Sequence, residues 1–228
     1  MFYYYDTTYI LVIIAFALTL FASFGVKSTF AKYDKIRNTR GITGADAARR
    51  ILSSNGISNV TVEHTPGSLT DHFDPRTNVV RLSDATYNSS SVAAIGVAAH
   101  ECGHAIQHSV GYAPIKLRNA IVPVVNIGNT LSMPLFFIGL VLGAYNLAYI
   151  GAMLFGLVLV FQLVTLPVEL NASRRALKIL DEFDILGNDE LKGAKKVLTA
   201  AAMTYVAAVA ATALQLLRLL TILNRRRD

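Results

Sequence analysis

Charge is scarce in this chain. Only 16% of its 228 residues are Asp, Glu, Lys or Arg, against 53% hydrophobic ones, a balance that excludes an ordinary soluble domain and points to segments that meet lipid. Cysteine is almost absent: the single Cys102 permits no intramolecular disulfide, which suits a reducing compartment. Basic residues are missing altogether before residue 27. The apolar stretch Tyr9 to Val26 therefore lacks the positive leader of a cleaved signal peptide, has its basic cluster after it instead, and reads as an anchor. Internal repeats and low-complexity linkers are also missing. The net charge of +6 needs no nucleic acid to explain it, because basic residues flanking apolar spans follow from membrane topology and anionic lipid.

Long hydrophobic runs are what the chain does have. Besides Tyr9 to Val26, with Tyr3, Tyr4, Tyr5 and Tyr9 where an interfacial aromatic belt belongs, Ile121 to Ala144 and Leu147 to Val168 flank a short Tyr145-Asn146 turn. These read as a membrane hairpin whose first arm is expected to kink at Pro123 and Pro134. Leu198 to Leu223 is a fourth candidate, carrying Gln215 and Arg218. Of the 21 basic residues, 11 lie between Lys27 and Arg118 and six between Arg174 and Lys196. The positive-inside rule then puts the N-terminus outside and both basic segments in the cytoplasm, although a complete fourth crossing would export Arg225, Arg226 and Arg227. The expected organisation is an anchor (1–26), a zincin-like domain (27–120), a transmembrane hairpin (121–168), a cytoplasmic segment (169–197) and a fourth membrane helix with a basic tail (198–228). The fold class is thus a mainly α, multi-pass cell-membrane protein of about four transmembrane helices with a small α+β domain.

That small domain is well punctuated. Thr43-Gly44-Ala45-Asp46 matches a capping box with Asp in place of Glu and opens a helix that stops near Gly56. Ser58 to Glu63 alternates like a strand, Asp74-Pro75-Arg76-Thr77 supplies a turn, and Asn78 to Leu82 follows as a second strand, expected at a sheet edge where a peptide could add. A helix from about Val92 to Val110 ends at Gly111.

On that last helix lie His100-Glu101-Cys102-Gly103-His104. Two imidazoles four residues apart project about 40° from each other and about 6 Å apart along the axis, so both reach one tetrahedral zinc, while Glu101 stands beside the metal, free to take a proton from water. Cys102, about 200° around from His100, should point away and pack. A catalytic zinc needs a third protein ligand. His108 lies about 12 Å from His100 along the helix and cannot share its metal; a third His six residues past the second is absent, since position 110 is Val. His64, His72, Asp71 and Asp74 are possible ligands from the strand region. Glu169, just after Pro167 at the mouth of an apolar helix, is the stronger candidate, and Arg174, Arg175 and Tyr205 are candidate donors to an oxyanion.

Three segments in order, Asp71-His72-Phe73-Asp74-Pro75-Arg76, Ala99-His100-Glu101-Cys102-Gly103-His104-Ala105-Ile106-Gln107-His108 and Glu169-Leu170-Asn171-Ala172-Ser173-Arg174-Arg175-Ala176, resemble the bacterial membrane neutral zinc metallopeptidases of the YugP type, and more distantly the HtpX and CAAX prenyl protease gluzincins. The resemblance implies Zn2+ held by His100, His104 and Glu169, Glu101 as general base, and a membrane peptidase acting on peptide or membrane-protein substrates. Where the broader group often has an acidic residue four positions after the glutamate ligand, this chain has Ser173. A zinc hydrolase of a non-peptide lipid or amide, and a non-catalytic membrane scaffold that retains the motif, are the competing functions; no particular protein partner is implied. The orientation has a direct check. In a Cys102→Ala background, cysteines introduced at 81 and 188 are expected to resist a membrane-impermeant thiol reagent added outside; external labelling at either would reverse the topology, and shielding at 227 would remove only the fourth crossing.

Overall fold

The computed structural model describes residues 7–227, and among them six helices and three short strands run in the order α1 (Tyr9–Asp34), α2 (Gly44–Ser54), β1 (Thr61–His64), β2 (His72–Asp74), β3 (Val79–Leu82), α3 (Val92–Ser109), α4 (Ala113–Val141), α5 (Tyr145–Glu182) and α6 (Asn188–Arg227). Tyr3, Tyr4, Tyr5 and Asp228 lie outside the described residues. Four helices, α1, α4, α5 and α6, are long and apolar enough to cross a membrane. α1, α5 and α6 outrun their expected hydrophobic stretches, whereas α4 begins early at Ala113 and ends at Val141; the expected turn at Tyr145-Asn146 is corrected to 142–144, where Gly143 adopts φ 66° and α5 is already helical from Tyr145. α5 continues to Glu182 because Ala172, Ala176, Ile179 and Leu180 keep a helical spacing of buried side chains beyond the apolar run. The 169–197 segment is consequently the end of one helix and the start of the next, not an extended connection. α4 is assigned as helix through both Pro123 and Pro134.

The chain divides into two compact units. The first comprises residues up to 23, 116–166 and from 204 onward. In it α4 and α5 pack through small residues: a methyl at Gly151 would stand 2.5 Å from Phe136 N and 2.6 Å from Ser132 O, the close backbone approach by which helices associate where no hydrophobic effect drives them together. Phe136, Ala148, Ala152, Leu219 and Leu223 form its core, while Phe16, Phe21, Phe137 and Ile150 stay exposed as lipid-facing side chains do. At one end Arg218 stacks over the Tyr9 ring, 4.7 Å from its centroid, and Arg225 donates to Thr7 Oγ1 at 3.3 Å. The last helix therefore ends beside the beginning of the first.

The second unit, residues 24–115 and 167–203, holds the larger core. The capping box forms: Thr43 Oγ1 accepts from Asp46 N, and Asp46 accepts from Thr43 N. α2 buries Ala47, Ala48, Ile51 and Leu52. The sheet order is β1-β3-β2, with β1 parallel and β2 antiparallel to β3. The expectation of an edge strand at Asn78–Leu82 is therefore corrected: β3 is central, with Val79, Val80 and Leu82 buried, and the edge on one side is β2, a strand the sequence reading passed over as the approach to a turn. That turn is held by Asp74, which accepts from Arg76 N, Thr77 Oγ1 and Arg81; these bonds, the Arg76 N–H first, lower its pKa to about 2. Asn78 closes the turn at φ 55°, a left-handed conformation that Asn tolerates.

Ser91 ties the unit together. Its hydroxyl caps α3 by accepting from Ala94 N at 3.1 Å and donates to Asp34 Oδ1 at 2.8 Å, linking the end of α1 to the start of α3. Ser91→Ala loses both bonds, and a third accepted from Ser89 Oγ at 3.1 Å, at a buried position. It should lower the apparent Tm in detergent by roughly 2–4 °C, measurable by intrinsic fluorescence; an unchanged Tm would mean that the cap contributes nothing.

Candidate metal centre

α3 brings His100, Glu101 and His104 to its contact with α5, and a glycine makes that contact possible. A methyl at Gly103 would stand 2.6 Å from the Ala172 carbonyl oxygen and 3.2 Å from its Cα, inside van der Waals contact with backbone that cannot swing aside. At this approach, His100 Nε2 lies 3.3 Å and His104 Nε2 3.5 Å from Glu169 Oε2. The ligand-edge length of a tetrahedral zinc with bonds of about 2.0–2.1 Å is about 3.3 Å, so both edges that end on the carboxylate match such an ion, for which the two imidazoles and the carboxylate would supply three ligands. Among the described residues, these form the one set of three His, Cys, Asp or Glu side chains whose potential ligand atoms all lie within 4.8 Å of one another. Burial opposes a charge on His104, but its hydrogen bond to Glu169 and the Glu101 and Glu169 charges outweigh it and raise its pKa, so a proton competes with a cation for this imidazole.

The other nitrogen of each imidazole has a partner. His100 Nδ1 is 3.0 Å from Ser173 Oγ, and His104 Nδ1 is 3.0 Å from Gln107 Oε1. The Gln107 amide orientation is dictated by its surroundings: its nitrogen donates to the Val168 carbonyl at 2.8 Å and to Asn171 Oδ1 at 3.0 Å, both acceptors, so its oxygen must face the imidazole. His104 therefore carries a hydrogen on Nδ1; in the neutral imidazole Nε2 is then the nitrogen free for a metal, and in the imidazolium it carries the proton donated to Glu169. Arg175 completes the network, donating from Nε to the same Asn171 oxygen at 2.8 Å with its guanidinium 5.9 Å from the Tyr112 ring centroid.

Glu101 is buried and stands apart from the three. Its Oε2 accepts from the Phe73 backbone N–H at 3.0 Å, and since Phe73 is the middle residue of β2, the outer edge of the sheet is tied to this carboxylate. Cys102 points away as expected, fully buried against α2 with Sγ 3.6 Å from the Ala48 carbonyl, and burial pushes its thiol far up. The alternative ligands are committed elsewhere. Asp71 accepts from Ser83 N and Oγ, His72 Nδ1 donates to the Thr70 carbonyl, and His64 pairs with Asp84 at 2.6 Å. His108 is exposed, its ring 5.8 Å from that of Phe73. Arg174 is exposed, and Tyr205 belongs to the first unit.

The sequence pattern of the family described as "Putative neutral zinc metallopeptidase" matches residues 8–224. The chain belongs to that family. Its cofactor is zinc, and His100, His104 and Glu169 are positioned to bind a metal ion. It is 48% identical over 218 residues, 96% of this chain and 97% of the relative, to "Putative membrane protease YugP" of Bacillus subtilis (strain 168). No solved structure matches.

Sequence reading named the three metal-binding candidates and Glu101 but missed Gln107, Asn171 and the Phe73 N–H. Gln107 carried a signal, a lone amide three residues after His104 on the helix face that also holds His100 and Gly103. Gln107→Leu keeps the buried volume while removing the His104 acceptor and two interhelical donors. Zinc affinity, read by competition with a chromogenic chelator, should fall about 10–100-fold; wild-type affinity would show that the amide does not orient the imidazole.

Proposed function

We propose that the chain is an integral-membrane zinc endopeptidase, with His100, His104 and Glu169 as the metal ligands, Glu101 as the general base, and the site on the cytoplasmic side. The observation that carries the ligand assignment is the pair of distances from Glu169 Oε2 to the two imidazoles, 3.3 and 3.5 Å, with Glu101 close by but outside the set. Zinc, when bound, supplies a Lewis acid that polarises a peptide carbonyl and lowers the pKa of a water toward neutrality.

The remaining steps belong to the protein. Glu101 takes a proton from the attacking water and returns it to the leaving amine nitrogen. Its Oε2 is held by the Phe73 N–H, which leaves Oε1 to receive the proton and keeps the carboxylate aimed while substrate enters. Burial of Glu101 and Glu169 keeps bulk water from competing for that proton. The name of the Bacillus subtilis relative, a membrane protease, and four helices able to span a bilayer support the membrane setting. The cytoplasmic side is supported by the 17 basic residues of the segments 27–118 and 174–196, against none before residue 27.

Two substitutions separate the roles. Glu169→Ala should remove most of the zinc from protein that remains folded in detergent. Glu101→Gln should keep one zinc per chain while hydrolysis of a denatured protein substrate falls about 10²-fold or more. Metal analysis beside a peptidase assay distinguishes them: full zinc in the first variant would discard the ligand set, and retained activity in the second would discard the base.

A further inference from the structure

Several lysines that no step of the hydrolysis uses gather in one place. Within the second unit, α1 and α6 close against each other where the Tyr33 ring lies on Gly193; a methyl at 193 would stand 2.8 Å from ring carbons Cδ1 and Cε1. Beside that contact is a cleft of about 650 Å³ whose lining includes Lys32, Lys192, Lys195 and Lys196, with Tyr33 and Thr199 between them. Lys192 is held by Asp189 at 2.8 Å. Lys32 lies over the Tyr33 ring, 5.7 Å from its centroid, and among the described residues Lys32, Lys195 and Lys196 have no carboxylate within ion-pair distance. Three uncompensated ammonium groups around one cleft repel one another unless an anion shares it.

Position identifies the anion. Lys196 stands two residues before the apolar run that opens at Leu198 on α6, and Lys32 follows the run that closes at Val26 on α1. Both helices are long and apolar enough to cross a membrane, so the cleft sits where they leave their apolar stretches, the level of lipid phosphates. Toward its apolar stretch α6 presents the exposed Met203 on the helical face that carries Lys192, Lys196 and Thr199, a surface on which an acyl chain can lie. A free phosphate would use the lysines but not this. We propose that the cleft binds one anionic phospholipid, its phosphate among Lys32, Lys195 and Lys196 and an acyl chain along α6 past Met203. The proposal rests on the reading of these helices as membrane-spanning.

The test uses the full chain in a neutral maltoside detergent, with bound lipid counted by native mass spectrometry. Phosphatidylglycerol should be retained at one molecule per chain, and phosphatidylcholine at the same mole fraction should not. The variant Lys32→Gln/Lys195→Gln/Lys196→Gln should bind phosphatidylglycerol roughly tenfold or more weakly, while Lys35→Gln/Lys116→Gln/Lys178→Gln, carrying the same loss of charge at exposed positions elsewhere, should bind like wild type. Equal retention of the two lipids by wild type, or undiminished binding by the cleft variant, would overturn the site. Displacement of the lipid by millimolar inorganic phosphate would overturn the choice of a lipid over a free anion. If the triple variant does not fold, the lipid comparison on wild type and the single Lys196→Glu variant decide. Extraction of the chain from membranes by alkaline carbonate would instead remove the membrane reading itself, which separates the two failures.

Discussion

The contact between α3 and α5 at Gly103 and Ala172 is the constraint on which the site depends. Two histidines on one helical face are a common arrangement; they become a metal site only when a third donor is held about 3.3 Å from both. Here the donor, Glu169 on α5, lies 65 residues beyond His104 in sequence, and the approach of the two backbones sets the distance. Any side chain at 103 would meet the Ala172 carbonyl, so the second variable position of the zinc-binding motif is fixed by packing rather than by chemistry. Cys102, the other variable position, faces the opposite way and anchors α3 on α2. One helix thus has a chemical face toward α5 and a structural face toward the core.

Around this contact the imidazoles are oriented by neutral groups. Ser173 and Gln107 hold the Nδ1 atoms, where a carboxylate would push more electron density onto the metal-binding nitrogens. With Glu169 as the single carboxylate among the three proposed donors, a bound zinc would keep a net positive charge, which would favour its Lewis acidity. Gln107 has a second consequence. It clips α3 to the Val168 carbonyl and to Asn171, so the group that sets the tautomer of His104 also holds the helix that carries Glu169.

Much of this was legible in the sequence because it is local. The capping box at Thr43, the extent of α3, the four apolar helices and the histidine pair follow from patterns within a turn or two. What escaped depends on distant partners. β2 is three residues long and becomes a strand only by pairing His72, Phe73 and Asp74 with Arg81, Val80 and Val79; alone it reads as the start of a turn. β3 was expected at an edge because nothing in its own residues shows that β1 and β2 flank it. The continuation of α5 past Val168 was hidden by a change of environment, since its helical periodicity persists after its hydropathy falls. Whether the fourth segment crosses completely was open in the sequence; Arg225 beside Thr7 and Arg218 over Tyr9 bring the end of α6 to the start of α1, so a crossing by one helix implies a crossing by the other.

Zinc K-edge X-ray absorption on the purified, zinc-loaded chain tests the central claim most directly. Two imidazoles and one carboxylate predict a single shell of nitrogen and oxygen at about 2.0–2.1 Å, outer-shell scattering that fits two histidine rings, and no sulfur. A sulfur shell at about 2.3 Å, or scattering that requires three imidazoles, would place Cys102 or another histidine on the metal and contradict the geometry set by Gly103 and Ala172.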